Sequence, residues 1–178
     1  MKWWMLAALV MTVVSIADAA ETRDPMTIDL QMKSEARVPA SVLEESRDAV
    51  TRIFANAGIA VRWTDTAPRF TVTIVPQVLG YATATSQVMG VAHRTPAGSS
   101  VQVFFKQVQD FARTYHVDLS TLVAYVIAHE VGHLLLPATP HSRTGLMQAE
   151  WHRAVVRDAA RGSLTFTEPQ AARIRASR

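Results

Sequence analysis

His129-Glu130-Val131-Gly132-His133-Leu134-Leu135-Leu136-Pro137-Ala138-Thr139-Pro140-His141-Ser142-Arg143-Thr144-Gly145-Leu146-Met147 is the stretch around which the rest of the chain falls into place. His129 and His133 are four apart, so on a helix their imidazoles leave one face about one turn apart. Glu130 sits beside His129, where a carboxylate reaches a water on a metal held by both histidines. The pattern H-E-x-x-H is the signature of a zinc site with a neighbouring general base, and Glu130 is the expected base. His141 supplies a third imidazole after a turn interrupted by Pro137 and Pro140, and Met147 lies six residues beyond it.

Six His and seven Glu among 178 residues make roughly 0.01 chance occurrences of this pattern the expectation, so its context carries the weight. Residues 119–136 contain no proline, and Gly132 is their one internal break. Leu122, Val123, Tyr125, Val126, Ile127 and Ala128 precede the motif, which predicts a helix apolar almost all round and therefore buried. Pro137 stops it, and the chain can then reverse and return His141 to the metal. A structural zinc site closes with four protein ligands, usually rich in Cys, and this chain has no Cys. Three imidazoles leave a fourth position for water, which is the catalytic arrangement.

At 178 residues, 49% hydrophobic and 19% charged, the composition fits one globular domain. Residues 1–19 have the anatomy of a signal peptide. Lys2 provides the positive start, residues 3–16 are apolar, and Ala17-Asp18-Ala19 resembles a cleavage site. Cleavage after Ala19 or Ala20 leaves residues 20–178 as the single domain. The apolar run is too short for a comfortable membrane span, so no stable membrane insertion is expected once it is removed. Export to the periplasm or the medium is expected, with a monomer held by its core and its metal instead of disulfides. The net charge of +3 is uneven, with seven Arg against three acids from residue 138 onward. Arg153, Arg157 and Arg161 fall four apart, as on one solvated helix face, and no nucleic-acid module accompanies them.

Residues 27–32 alternate, with Ile28, Leu30 and Met32 on one side, and predict a half-buried strand. Pro39 and Ser41 open a helix with a stripe of Leu43, Val50, Ile53, Phe54 and Ala57, which ends at Asn56-Ala57-Gly58. Ile59, Val61 and Trp63 alternate, as do Phe70, Val72 and Ile74, giving two more strands. Residues 80–90 predict a surface segment, residues 88–93 a short edge strand, and Val101, Val103 and Phe105 another strand. A helix over 107–115 follows, and Asp118 or Ser120 caps the motif helix. Thr167-Glu168-Pro169-Gln170 predicts a capping box opening a terminal helix. Strand, helix, strand, strand implies a sheet with a helix packed on one face.

This order and the motif together resemble the metzincin clan of zinc peptidases, in particular the minimal catalytic domains of the matrix-metalloprotease type. The family pattern is His-Glu-x-x-His-x-x-Gly-x-x-His followed by a turn carrying a methionine. His129, Glu130, His133, His141 and Met147 match those positions. Leu136 stands where the family has Gly, His141 comes two residues late, and no Tyr follows Met147. The resemblance implies an α+β, metzincin-like (zincin) domain: a small twisted mixed sheet packed on a long helix, an active-site helix, a methionine turn and a C-terminal helix. It also implies Zn2+ on His129, His133 and His141, with Met147 beneath the metal. Glu150, 17 residues after His133, is the rival third ligand, as in peptidases that use a glutamate on a following helix. His93, His116 and His152 read as surface residues, and Trp151 as core or cleft wall.

The expected activity is hydrolysis of peptide bonds in a peptide or protein substrate, with no nucleic-acid partner. Two other readings use the same residues: a non-catalytic exported zinc-binding protein, and a zinc amidase acting on a cell-wall bond.

Overall fold

The computed structural model describes residues 26–77, 88–96, 98–136 and 141–177. The signal-peptide anatomy, most of the segment at 80–90 and the turn at Pro137 and Pro140 lie outside the described residues. The elements run β1 (Met26–Ser34), α1 (Ala40–Ala55), β2 (Ile59–Trp63), β3 (Phe70–Val75), β4 (Gly90–Thr95), β5 (Gly98–Phe104), α2 (Phe105–Tyr115), α3 (Leu119–Leu135), α4 (Arg153–Ala160) and α5 (Glu168–Ala176). Among the described residues the sheet order is β2-β1-β3-β5-β4, with only the edge pair β4–β5 antiparallel.

Parallel neighbours need a crossover, and α1 provides it between β1 and β2. The next connection is shorter than that rule suggests. β2 pairs only with residues 26–30 of β1, and β3 pairs with residues 30–34. The chain therefore changes sides of β1 at Leu30, over residues 64–69. The Thr64 N–H donates to Leu30 O at 2.9 Å, and the Arg69 N–H to Asp29 O at 2.8 Å, pinning both ends of the crossing.

The alternation expected in β1 is present: Ile28 and Leu30 are fully buried and Asp29 and Gln31 are not. In α1 the buried positions are Ser46, Val50, Ile53 and Phe54, one helical stripe. That face packs on α3, where the Ser46 hydroxyl stands 3.0 Å from Ser120 O. One boundary differs from expectation. Phe105 begins α2 instead of ending β5, because its buried side chain belongs to the helical set Phe105, Val108, Phe111 and Ala112. Arg153, Arg157 and Arg161 are exposed, on or just past α4.

α3 runs through the middle of the domain. Every residue from 122 to 132 is buried, between α1 on one side and α2, β4 and β5 on the other. Asp118 caps it: the carboxylate accepts from the Thr121 N–H at 2.7 Å and from the Ser120 hydroxyl at 2.6 Å. The terminal helix α5 opens as predicted, with the Thr167 N–H donating to the Gln170 side chain at 2.9 Å. Among the described residues no helix is long and apolar enough to cross a membrane. Replacing the cap, Asp118→Ala, is expected to lower unfolding free energy by about 1 kcal/mol in urea titrations. An unchanged midpoint would mean that packing alone holds the start of α3.

Candidate metal centre

α3 delivers His129 and Glu130, each only 8% exposed, and then the half-buried His133 at its last turn. His141, exposed on the segment that follows, completes a group of three imidazoles whose ligand atoms lie within 4.8 Å of one another. His133 Nε2 is 3.2 Å from both His129 Nε2 and His141 Nε2. Two nitrogens on one tetrahedral zinc, each about 2.0–2.1 Å away, stand about 3.4 Å apart, which the two spacings from His133 approach, within a group whose ligand atoms spread over up to 4.8 Å. The protonation pattern fits as well. His129 Nδ1 is 2.9 Å from Leu146 O. A carbonyl only accepts, so Nδ1 carries the proton and Nε2 presents a lone pair. His133 has one N–H at most in its neutral form and faces two other imidazole nitrogens, so the three cannot all satisfy one another. A cation satisfies them all.

Burial favours the neutral forms of His129, His133 and Glu130. Burial pushes the His129 imidazole down to about 4, against the pull of the Leu146 carbonyl. Burial, then the nearby His141, lowers His133. Burial pushes the Glu130 carboxyl up to about 7, and the Ala92 backbone beside it works the other way.

The turn after His141 is closed by backbone bonds. The Ser142 N–H donates to Met147 O at 2.7 Å, and the Leu146 N–H to Thr165 O at 2.8 Å. Met147 is 1% exposed and packs beneath α3 against Gly132. A Cβ at Gly132 would come within 2.4 Å of Met147 Sδ and 3.0 Å of a Phe166 ring carbon. The glycine that interrupts the motif helix is thus what lets the methionine approach between the two histidines.

A cavity of about 380 Å³ opens beside the imidazoles. Val88, Met89, Phe111, Val126, Ala149 and Trp151 give it apolar walls, and Gly90 to Ala92 of β4 form one rim. The Trp151 ring stands edge-on to His129, with centroids 5.9 Å apart. Glu150 is exposed and lies outside both the metal-capable group and the cavity lining. His93 is half-buried on β4, while His116 and His152 are exposed; none joins the group. The Leu146 carbonyl, the Ala92 backbone, Gly90 and Phe111 were not singled out by sequence reasoning. Their parts depend on which distant segments meet, although a glycine inside a buried helix or at a strand end is a general mark of close approach.

Gly132→Ala is expected to destabilise the fold by about 1–3 kcal/mol through overpacking, although Ala is the better helix former. Urea unfolding measures this, and a gain in stability would show that Met147 yields freely. A second expectation concerns the metal-free protein. Glu130 is raised from 4.5 to about 7, so its contribution is fully present below pH 4.5 and is lost as pH rises through 7. His129 is lowered from 6.5 to about 4, so its contribution is present above pH 6.5 and is lost as pH falls towards 4. Between pH 4.5 and 6.5 the two slopes oppose. In chelator, Glu130→Gln should therefore steepen the loss of stability below pH 6.5 and stabilise the protein above pH 7, by up to about 3 kcal/mol. Parallel stability curves for the two proteins across pH 4–8 would refute this.

No family profile and no curated protein matches the sequence. The fold is similar to the crystal structure of an archaemetzincin from Methanopyrus kandleri. The TM-score is 0.57 at 15% identity, over 88% of this chain and 98% of that one. Among the described residues, the mixed five-stranded sheet and five helices thus have the metzincin-like architecture, with a three-histidine group able to hold a metal ion on the motif helix and the turn after it.

Proposed function

We propose that the protein is an exported zinc-dependent metalloendopeptidase. The observation that carries this reading is the convergence of His129, His133 and His141 at one end of a cavity that Glu130 also lines. Zinc bound there supplies a Lewis acid for the scissile carbonyl and lowers the pKa of the attacking water. Glu130, one residue from His129 and facing the same cavity, takes the proton of that water and passes it to the leaving amine. His129 is held in the ligating tautomer by Leu146 O. Met147 supports the helix from below.

The substrate class follows from the walls. Among the described residues lining the cavity, Glu130 is the one acidic or basic group other than histidine, which favours an uncharged stretch of substrate over a charged chain terminus. Internal bonds fit this better than terminal ones, with an apolar side chain seated between Phe111, Val126 and Trp151. Among the described residues β4 is one of the two sheet edges, the one beside the cavity, and an extended peptide can add to it as a further strand. Charge along α4 is solvated, which gives no support to a nucleic-acid partner.

The test is zinc per chain, together with cleavage of denatured protein and of cell-wall fragments side by side. Wild type and Glu150→Ala should each hold one zinc, and His141→Ala should lose it. Glu130→Gln should keep zinc and lose about 100-fold or more in turnover. Zinc lost with Glu150→Ala would move the third ligand to the carboxylate. Zinc bound with no cleavage of either substrate would favour a binding protein, and cleavage of wall fragments alone an amidase.

A further inference from the structure

The edge strand β4 touches α3 at three successive rungs. At the first, Gly90 lies so close that a Cβ would meet Glu130 Cγ at 2.9 Å and Val126 Cγ1 at 3.0 Å. At the second, the Ala92 backbone lies near enough to the Glu130 carboxyl to favour its charged form. At the third, the Arg94 guanidinium donates to Leu134 O at the end of the helix. Counted through Val126, Glu130 and Leu134, each step is two residues on the strand and four on the helix, with Glu130 touched at both of the first two. Two strand residues rise about 6.6–6.8 Å, and four helical residues rise about 6.0 Å. The two repeats nearly match, so strand and helix stay in step across the length of the motif.

The geometry points to a register clamp in which Gly90 and Arg94 are positioning residues for Glu130. Gly90 sets how closely the strand approaches, since any side chain there pushes against Glu130 itself. Arg94 fixes the far end, so the strand cannot slide along α3. Because the same strand forms the rim of the cavity, a peptide added to its edge is placed relative to Glu130 by the clamp. This inference rests on the hydrolase reading for its effect on turnover but not for the clamp itself.

The full chain is therefore tested in two ways. Hydrogen exchange of the β4 amides is compared in wild type, Arg94→Gln, Arg94→Lys and Glu130→Ala. The clamp requires faster exchange in Arg94→Gln and Glu130→Ala and near wild-type protection in Arg94→Lys. Unchanged exchange in both weakened variants overturns it, whatever the enzyme does. Steady-state cleavage of a denatured protein is then measured with zinc content. Gly90→Ala and Arg94→Gln should keep their zinc and lose about tenfold or more in kcat, with KM within about twofold. Arg94→Lys should recover most of that loss. In a Glu130→Gln background, Gly90→Ala should cost nothing further, which a merely structural role does not predict. A raised KM with unchanged kcat, loss of zinc, or additive losses would each overturn the positioning role. Wild type that cleaves nothing while the exchange results hold would sink the hydrolase reading and leave the clamp standing.

Discussion

The structure depends on how an apolar helix carries polar groups through its interior. Burying an imidazole or a carboxyl without a partner costs several kcal/mol, and α3 buries one of each side by side. The solution is to give the side of each group that faces away from the metal position a backbone partner from another segment. His129 Nδ1 meets Leu146 O and the Glu130 carboxyl lies by the Ala92 backbone, while the Arg94 side chain meets the carbonyl of Leu134 in the last turn of the helix. The turn after His141 and the edge strand are thus tied to α3 by the groups that the proposed chemistry uses. Packing and site are one set of contacts.

This explains why the two flanks of the motif are built so differently. On the β4 side the approach is controlled by a residue with no side chain, Gly90. On the opposite side it is controlled by Gly132 within the helix, which admits Met147. A helix with Ala at 132 would be intrinsically better and would hold the methionine turn farther off. The glycine lowers helix propensity locally, and the tertiary contact offsets it. Leu146 is bonded both ways in this arrangement, its N–H to Thr165 O and its C=O to His129. The segment leading to α5 therefore also bears on the tautomer of a ligand.

Much of this was legible in the sequence wherever a local period encodes it. Ile28, Leu30 and Met32 announce a strand by alternation, and Val50, Ile53 and Phe54 announce a helix by their spacing. The continuous apolar run before His129 announces burial on all sides. His129, Glu130 and His133 are visible because their chemistry demands those residue types at helical spacing, and His141 because a third imidazole follows close after them. What stayed hidden depends on distant chain segments meeting. The side-switch at Leu30 follows from two strands sharing one neighbour, and no residue type marks it. Phe105 fits both a strand and a helical stripe, and only its partners Val108 and Phe111 decide between them. Ala92 contributes its backbone, which other residues would also supply, so its identity carries no signal at all.

The late arrival of His141 also has a physical account. Relative to the metzincin pattern, two more residues separate it from His133. If its place were set by the chain leaving α3, a longer connection would carry it away from the other imidazoles. Its place is set from the other side instead. Ser142, the next residue, is bonded to Met147 O; Leu146 is bonded to Thr165 O; and Met147 is locked under Gly132. The turn is thus docked on α3 by its own core contacts, and it presents His141 regardless of how the chain reaches it. Adding residues to a connection whose two ends are already fixed changes the closure entropy only slowly, as the logarithm of its length. The spacing between the second and third histidines is therefore the least constrained number in the motif, whereas the spacing from His141 to Met147 is bound to the geometry of the turn.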